Sequence, residues 1–178
     1  GFQHGEGTNI PGWDSTDATW RQVNVNLAQW ANQSVKIRWA FASDPVAHPG
    51  FGWMVDAIRV YNGAGDTVLT TDANADDGFI PGTNVPTGGN LWRIATDATS
   101  PAGPHIVVCN NASNNMYNPN MNNELISPPI DCSQLANGIL MADFQITGAV
   151  QGIGFPDADF WGFQVSTDGG SSWCYGSN

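Results

Sequence analysis

Charge is scarce in this chain. Charged residues make up 12% of its 178 positions, about half of the roughly 25% usual in globular domains. The shortfall is in cations: one lysine, Lys36, and four arginines, Arg21, Arg38, Arg59 and Arg93, leave a formal net charge of −11. Such a field repels a phosphate backbone, which excludes nucleic acid as a partner, and it disfavours anionic membrane surfaces for the same reason. Divalent cations are the natural counter-charge, although acidity also serves simply to keep an extracellular protein in solution.

Long apolar runs are missing too. None approaches the roughly 18–20 residues that cross a bilayer, so no membrane insertion is expected. The chain opens on Gly1 with no visible signal peptide and reads as a processed, secreted product or a fragment. Cysteine is rare, and Cys109, Cys132 and Cys174 lack the C-x-x-C spacing of zinc or redox sites. Cys109 and Cys132 flank an Asn-rich loop and could close it as a disulfide in an oxidising compartment, with Cys174 left free or bonded to another chain. The other reading makes all three small buried hydrophobes.

Catalytic signatures are absent as well: there is no G-x-S-x-G elbow, H-E-x-x-H motif or P-loop. His4, His48 and His105 are scattered, each close to Gly or Pro. Asp157 and Asp159 precede a strand, where a turn or a second ion site is commoner than a catalytic carboxylate pair. The chain is therefore expected not to be an enzyme.

What the sequence does contain is strand pattern. Helical periodicity is almost absent, and β-branched and aromatic runs alternate between clusters of Gly, Pro, Asn and Asp. The clearest predicted strands are 35–41 (VKIRWAF), 54–61 (MVDAIRVY), 139–147 (ILMADFQIT) and 160–166 (FWGFQVS), with shorter ones at 68–70, 92–95, 106–109 and 124–126. In the first of these, Val35, Ile37, Trp39 and Phe41 form a core face, and Lys36, Arg38 and Ala40 a wet one. Asp168, Gly169 and Gly170 read as a tight hairpin turn, because glycine supplies positive φ. Pro128 and Pro129 halt pairing, and residues 110–123 form a long polar loop. Many short strands at this spacing predict an all-β sandwich or barrel. The best internal boundary is the Asp- and Gly-rich stretch at 70–82.

Two segments resemble jelly-roll modules of bacterial surface proteins and secreted peptidases, the cleaved-adhesin and MAM-like kind. NLAQWANQSVKIRWAFASDPVAHPGFGWMVDAIRVY, at 26–61, looks like the closing half of such a domain. LWRI at 91–94, NNELISPPIDCS at 122–133 and DADFWGFQVSTDGGSSW at 157–173 look like its opening half. The order is permuted: residues 1–76 carry the closing half and 77–178 the opening half. In departure from the family pattern, Ala57 stands where a second acid follows Asp56, and Cys132 where a hydrophobic residue follows SPPID. The resemblance implies an antiparallel jelly-roll β-sandwich, all-β. Neither half can close alone, because each would expose unpaired edges and an apolar face. The halves meet within one chain as a permuted domain, or across copies in a head-to-tail filament, or the chain is one register of a tandem repeat.

The resemblance also implies calcium where the acidic start of the domain meets the strand of Asp56, which implicates Asp76 or Asp77 with Asp56. The residues add their own signal. Asp72, Asn74 and Asp76 place oxygens at alternate positions, followed by Asp77 and Gly78. The match to an EF-hand loop is poor, since the glycine falls one place late and Thr83 occupies position 12; a plain Asp-rich turn is the other reading. Of the eight tryptophans, Trp39, Trp53, Trp92 and Trp161 lie in strand patterns and suit a core. Trp13, Trp20 and Trp30 lie in a less regular stretch and are candidates for a sugar-stacking platform. Asn32 and Asn111 head glycosylation sequons, which arise often by chance in an Asn-rich chain.

The expected function is an extracellular, secreted or cell-surface structural or adhesive unit whose partners are copies of itself, a glycan or a cell surface. The alternative is a carbohydrate-binding module accompanying a secreted hydrolase or peptidase.

Overall fold

A computed structural model describes residues 17–47, 50–73, 77–83, 91–133, 139–150 and 159–175. In chain order the strands are β1 (Asp17–Asn26), β2 (Ser34–Ala42), β3 (Gly52–Asn62), β4 (Thr67–Thr71), β5 (Ile80–Thr83), β6 (Trp92–Thr96), β7 (His105–Cys109), β8 (Asn122–Ile126), β9 (Ile130–Asp131), β10 (Leu140–Ala149), β11 (Phe160–Ser166) and β12 (Cys174–Tyr175). A short 3-10 turn, Ala28–Trp30, follows β1.

The strands form two antiparallel sheets. The first runs β1-β10-β3-β7-β6, with β4 also paired to β3; the second runs β12-β11-β2-β8-β5, with β9 also paired to β2. Period-2 alternation sorts the side chains. Leu140, Ala142, Phe144 and Ile146 of β10 are buried, as are Val35, Ile37, Trp39 and Phe41 of β2. The two inner faces meet where Trp39 stands edge-on to Phe144 at 5.3 Å and Trp53 lies over Trp161 at 3.8 Å. Gly148 pairs with Trp53 across β10 and β3, and any Cβ there would overlap the indole ring. Trp39, Trp53, Trp92 and Trp161 are all core residues.

Strands from the two ends of the sequence interleave. β10 sits between β1 and β3, and β2 sits between β11 and β8. β4 belongs to the first sheet and β5, the next strand in the chain, to the second. A single strand edge of β2 is read twice: β8 pairs with its C-terminal part and β9 with its start, on either side of Ser127, Pro128 and Pro129. Ser127 bridges the interruption, its Oγ accepting from the Ile37 amide at 3.0 Å while its own amide donates to the Ile37 carbonyl at 2.9 Å.

Three expectations need correction. The outer face of β2 is not wet at Ala40, which is buried, or at Arg38, which is only 7% exposed. Glu124 and Gln164 on the flanking strands bind its guanidinium, and the Trp173 ring covers it at 4.5 Å. β2 is central in its sheet, so neighbours on both sides close over its polar face. The Cys109–Cys132 disulfide is not formed, and all three cysteines are thiols. Cys132 hydrogen-bonds to Gln33 just before β2, whereas Cys109 pairs with Trp53, whose partner Trp161 pairs with Phe41 near the other end of that strand. The length of β2 thus separates them, roughly 20 Å at 3.3 Å per residue, far beyond the ~7 Å limit between bridged Cα atoms. Burial pushes the Cys132 thiol up to about 11 and Cys109 well above its ordinary value. Third, the Asp168 turn is wider than a tight hairpin. Gly169 and Gly170 do have positive φ, but the first paired residues across it are Val165 and Cys174.

Candidate functional site

The outer face of the first sheet carries a cleft of about 320 Å³. It is built from two cross-strand rows of outward side chains. In one row Gln22 of β1 pairs with Gln145 of β10, which pairs with Asp56 of β3. In the other, Asn24 of β1, Asp143 of β10, Arg59 of β3 and Thr70 of β4 follow one another. Arg59 and Asp143 bind in a two-point fork at 3.2 and 2.8 Å, the geometry that suits planar guanidinium and carboxylate groups. That fork holds the Arg59 guanidinium above its ordinary pKa, and Tyr61 packs under it at 4.0 Å.

β3 bulges beside the cleft. Between the pairs Asp56–Gln145 and Arg59–Asp143 the register shifts, so Ala57 and Ile58 together oppose Phe144. Ala57 takes φ +51°, a left-handed conformation uncommon for a residue with a Cβ. Ala57 lines the cleft with Gln22, Arg59, Thr70, Asp72 and Asp143.

The β6–β7 loop closes over one end. Ser100 Oγ donates to Asp56 Oδ2, the Ala102 amide lies 3.4 Å from the same oxygen, and Thr99 Oγ1 accepts from the Trp20 indole at 3.2 Å. Asp56 is 1% exposed, and its Oδ1 meets no hydrogen-bond donor. Burial raises its pKa above the ordinary value and the nearby Asp72 adds to the rise; the Ser100 hydroxyl and the Ala57 and Ala102 amides oppose it without cancelling it.

Of the five expected calcium ligands, Asp56 and Asp72 are brought together; Asn74 and Asp76 lie outside the described residues. Asp77 does not join them. It is exposed on the rim of a second, mainly apolar cavity of about 270 Å³ between the sheets, lined by Phe79, Pro81, Trp92, Ile94, Val107 and Leu125. No group of three or more His, Cys, Asp or Glu side chains gathers around a common point among the described residues. Asp56 and Asp72 are the part of the expected ligand set that the described residues bring together. A buried carboxylate oxygen without a donor, next to a second carboxylate, is an unfavourable arrangement that a divalent ion relieves.

Among the described residues the expected tryptophans do not form a platform. Trp13 lies outside the described residues. Trp30 is buried at 8% exposure in the core, and Trp20 is half-buried with its indole nitrogen engaged by Thr99. Asp157 lies outside the described residues. Asp159 is fully buried and accepts hydrogen bonds from Tyr117 and from the Asp44 amide at 2.9 Å, which makes it an anchor of the fold.

The polar grid itself was missed at the level of sequence. Asp143 and Gln145 are the outward positions of ILMADFQIT, but only the register of β1, β10, β3 and β4 places them beside Gln22 and Arg59. Protein-family models, characterised proteins and solved structures all returned no match to the chain.

Proposed function

We propose that this chain is an extracellular adhesive unit, a non-catalytic sandwich of jelly-roll type within a surface or secreted protein, which holds its partner at the outer-face cleft of the first sheet. The observation that supports this reading is the cleft: four strands and one loop converge there on amide, carboxylate and guanidinium groups, on a face that the core does not use. Concave sites with a few convergent polar groups are where small ligands and partner side groups bind.

Interleaving of the two halves within one chain favours adhesion over strand exchange between copies. Strands that a neighbouring copy would supply to a filament are already paired. In this reading Asp56 and Asp72 hold calcium behind the cleft, where it neutralises both carboxylates and stiffens the bulge.

A second reading, a carbohydrate-binding module beside a secreted hydrolase or peptidase, draws on the same cleft. One experiment addresses adhesion in both. The purified chain is sized by light scattering, then immobilised and tested for retention of bacterial and epithelial cells, with the double variant Gln22→Ala, Gln145→Ala as control. A monomer that retains cells and loses at least half of that retention in the variant supports the proposal. Retention that ignores the variant, or a protein found only as open-ended polymers, overturns it.

A further inference from the structure

We infer that the outer-face cleft takes a neutral sugar, gripped through a pair of adjacent hydroxyl groups between the Arg59–Asp143 fork and the amides of Gln22 and Gln145, and that it rejects acidic sugars. This rests on the reading of the cleft as the recognition site and names its ligand.

Size limits the ligand first. At about 320 Å³ the cleft lies at the small end of ligand pockets, enough for one terminal ring rather than a length of polymer lying across the sheet. Ala57, at the bulge, is among the residues that line it, and its small side chain takes up little of that space.

The hydrogen-bonding inventory limits it further. Each amide of Gln22 and Gln145 offers an acceptor oxygen and two N–H donors, and the Gln22 nitrogen spends one bond on Asn24 at 3.3 Å. The Asp143 carboxylate has more acceptor sites than its two bonds to Arg59 consume, and the guanidinium has five N–H groups. Donors and acceptors therefore alternate across β1, β10 and β3. A hydroxyl donates and accepts at once, and two neighbouring hydroxyls on a ring present such an alternating pair. A carboxylate ligand could use only the donors.

Charge decides between neutral and acidic sugars. The one cation among the cleft's lining residues, Arg59, is already paired with Asp143, and a calcium ion on Asp56 and Asp72 would cancel their charge without adding a net positive one. In a chain of net charge −11, a uronic or sialic acid meets repulsion at every approach, whereas an uncharged ring does not.

The test is a glycan array probed with the intact chain, followed by titration of free neutral hexoses, glucuronate and glucosamine against it. The inference expects array signal on neutral terminal sugars and competition by a neutral hexose at millimolar concentration or below. It expects none by glucuronate, and little change between 50 and 500 mM salt. Gln22→Ala changes an exposed strand residue and should weaken binding about 5- to 10-fold with an unchanged melting temperature. Arg59→Lys keeps the charge but loses the fork and should weaken binding at least as much. A preference for acidic sugars, or binding of glucosamine alone with steep salt dependence, overturns the inference. If cells are retained through the cleft while no sugar binds or competes, the ligand assignment falls and the adhesive reading stands. If neither cells nor sugars bind, both fall.

Discussion

At Asp56 one carboxylate oxygen is held by a hydroxyl and an amide while the other, equally buried, has no donor. Folding therefore raises the pKa of this group above its ordinary 3.8. The sign of its effect on stability follows from linkage. Below the ordinary value the acid is protonated in both folded and unfolded chains, and burial carries no charge penalty. As pH rises above the ordinary value towards the raised folded one the penalty grows, and above the folded value it is complete. In EDTA, Asp56→Asn is accordingly expected to match the parent near pH 3.5 and to be the more stable of the two at pH 7, as read by thermal denaturation across that range. Millimolar calcium should reverse the neutral-pH order by stabilising the parent alone. A variant less stable than the parent at pH 7 in EDTA would mean that the Ser100 and Ala102 bonds outweigh the buried charge. Identical calcium responses in the two proteins would remove Asp56 from any ion site.

Among the strands, the β8–β9 interruption depends on a single side chain. Ser127 is 1% exposed, and its hydroxyl supplies the acceptor for the Ile37 amide where the ladder is interrupted. Ser127→Ala leaves the buried Ile37 amide without that partner and is expected to lower stability by about 1–3 kcal/mol, measured by urea denaturation. A loss under about 0.5 kcal/mol would show that water takes over the bond. This local detail was half legible beforehand: proline predicts the break in pairing, but not that the same strand edge resumes three residues later. Each of the eight predicted strands lies within an observed one, or overlaps it with ends that differ by one or two residues, because β-branched and aromatic residues cluster there between turn-forming ones. β1 escaped because its register shifts between Asp17 and Arg21 and its edge position leaves most of it exposed, so no apolar face repeats. β9 and β12 have two residues each and offer no period to read. The wet face assigned to β2 failed at Arg38 because burial there depends on what stands beside the strand, which alternation does not encode. The cleft was illegible for the same reason. Gln22 and Gln145 are far apart in the chain, and only sheet register makes them neighbours. The acidic turn drew attention to Asp72 and the family resemblance to Asp56, but neither showed that one of them is sealed beneath a loop.

For the molecule as a whole, each half supplies the strand that the other must have. β10 from the second half fills the gap between β1 and β3, and β2 from the first fills that between β11 and β8. Expressed separately, residues 1–76 and 77–178 are each expected to lack a cooperative unfolding transition. Mixed, they should recover one, together with the blue-shifted tryptophan emission of buried indoles. A half that unfolds cooperatively by itself would disprove this mutual dependence. The shared core explains why it is strong: Trp39 from the first half packs against Phe144 and Phe163 from the second at 5.3 and 5.4 Å, so neither half can bury its aromatic residues alone.

The same interleaving sets the order of events at birth. A polypeptide made or exported amino end first presents β1, β2 and β3 long before β10 and β11 emerge, and their hydrogen-bonding edges stay open meanwhile. Closing sheets from contacts so distant in sequence is slow, because loop entropy is spent before the pairing returns it. For that interval the nascent chain is a target for chaperones and for aggregation. Its unusually low content of cations, which leaves like charges to repel, keeps such waiting edges apart.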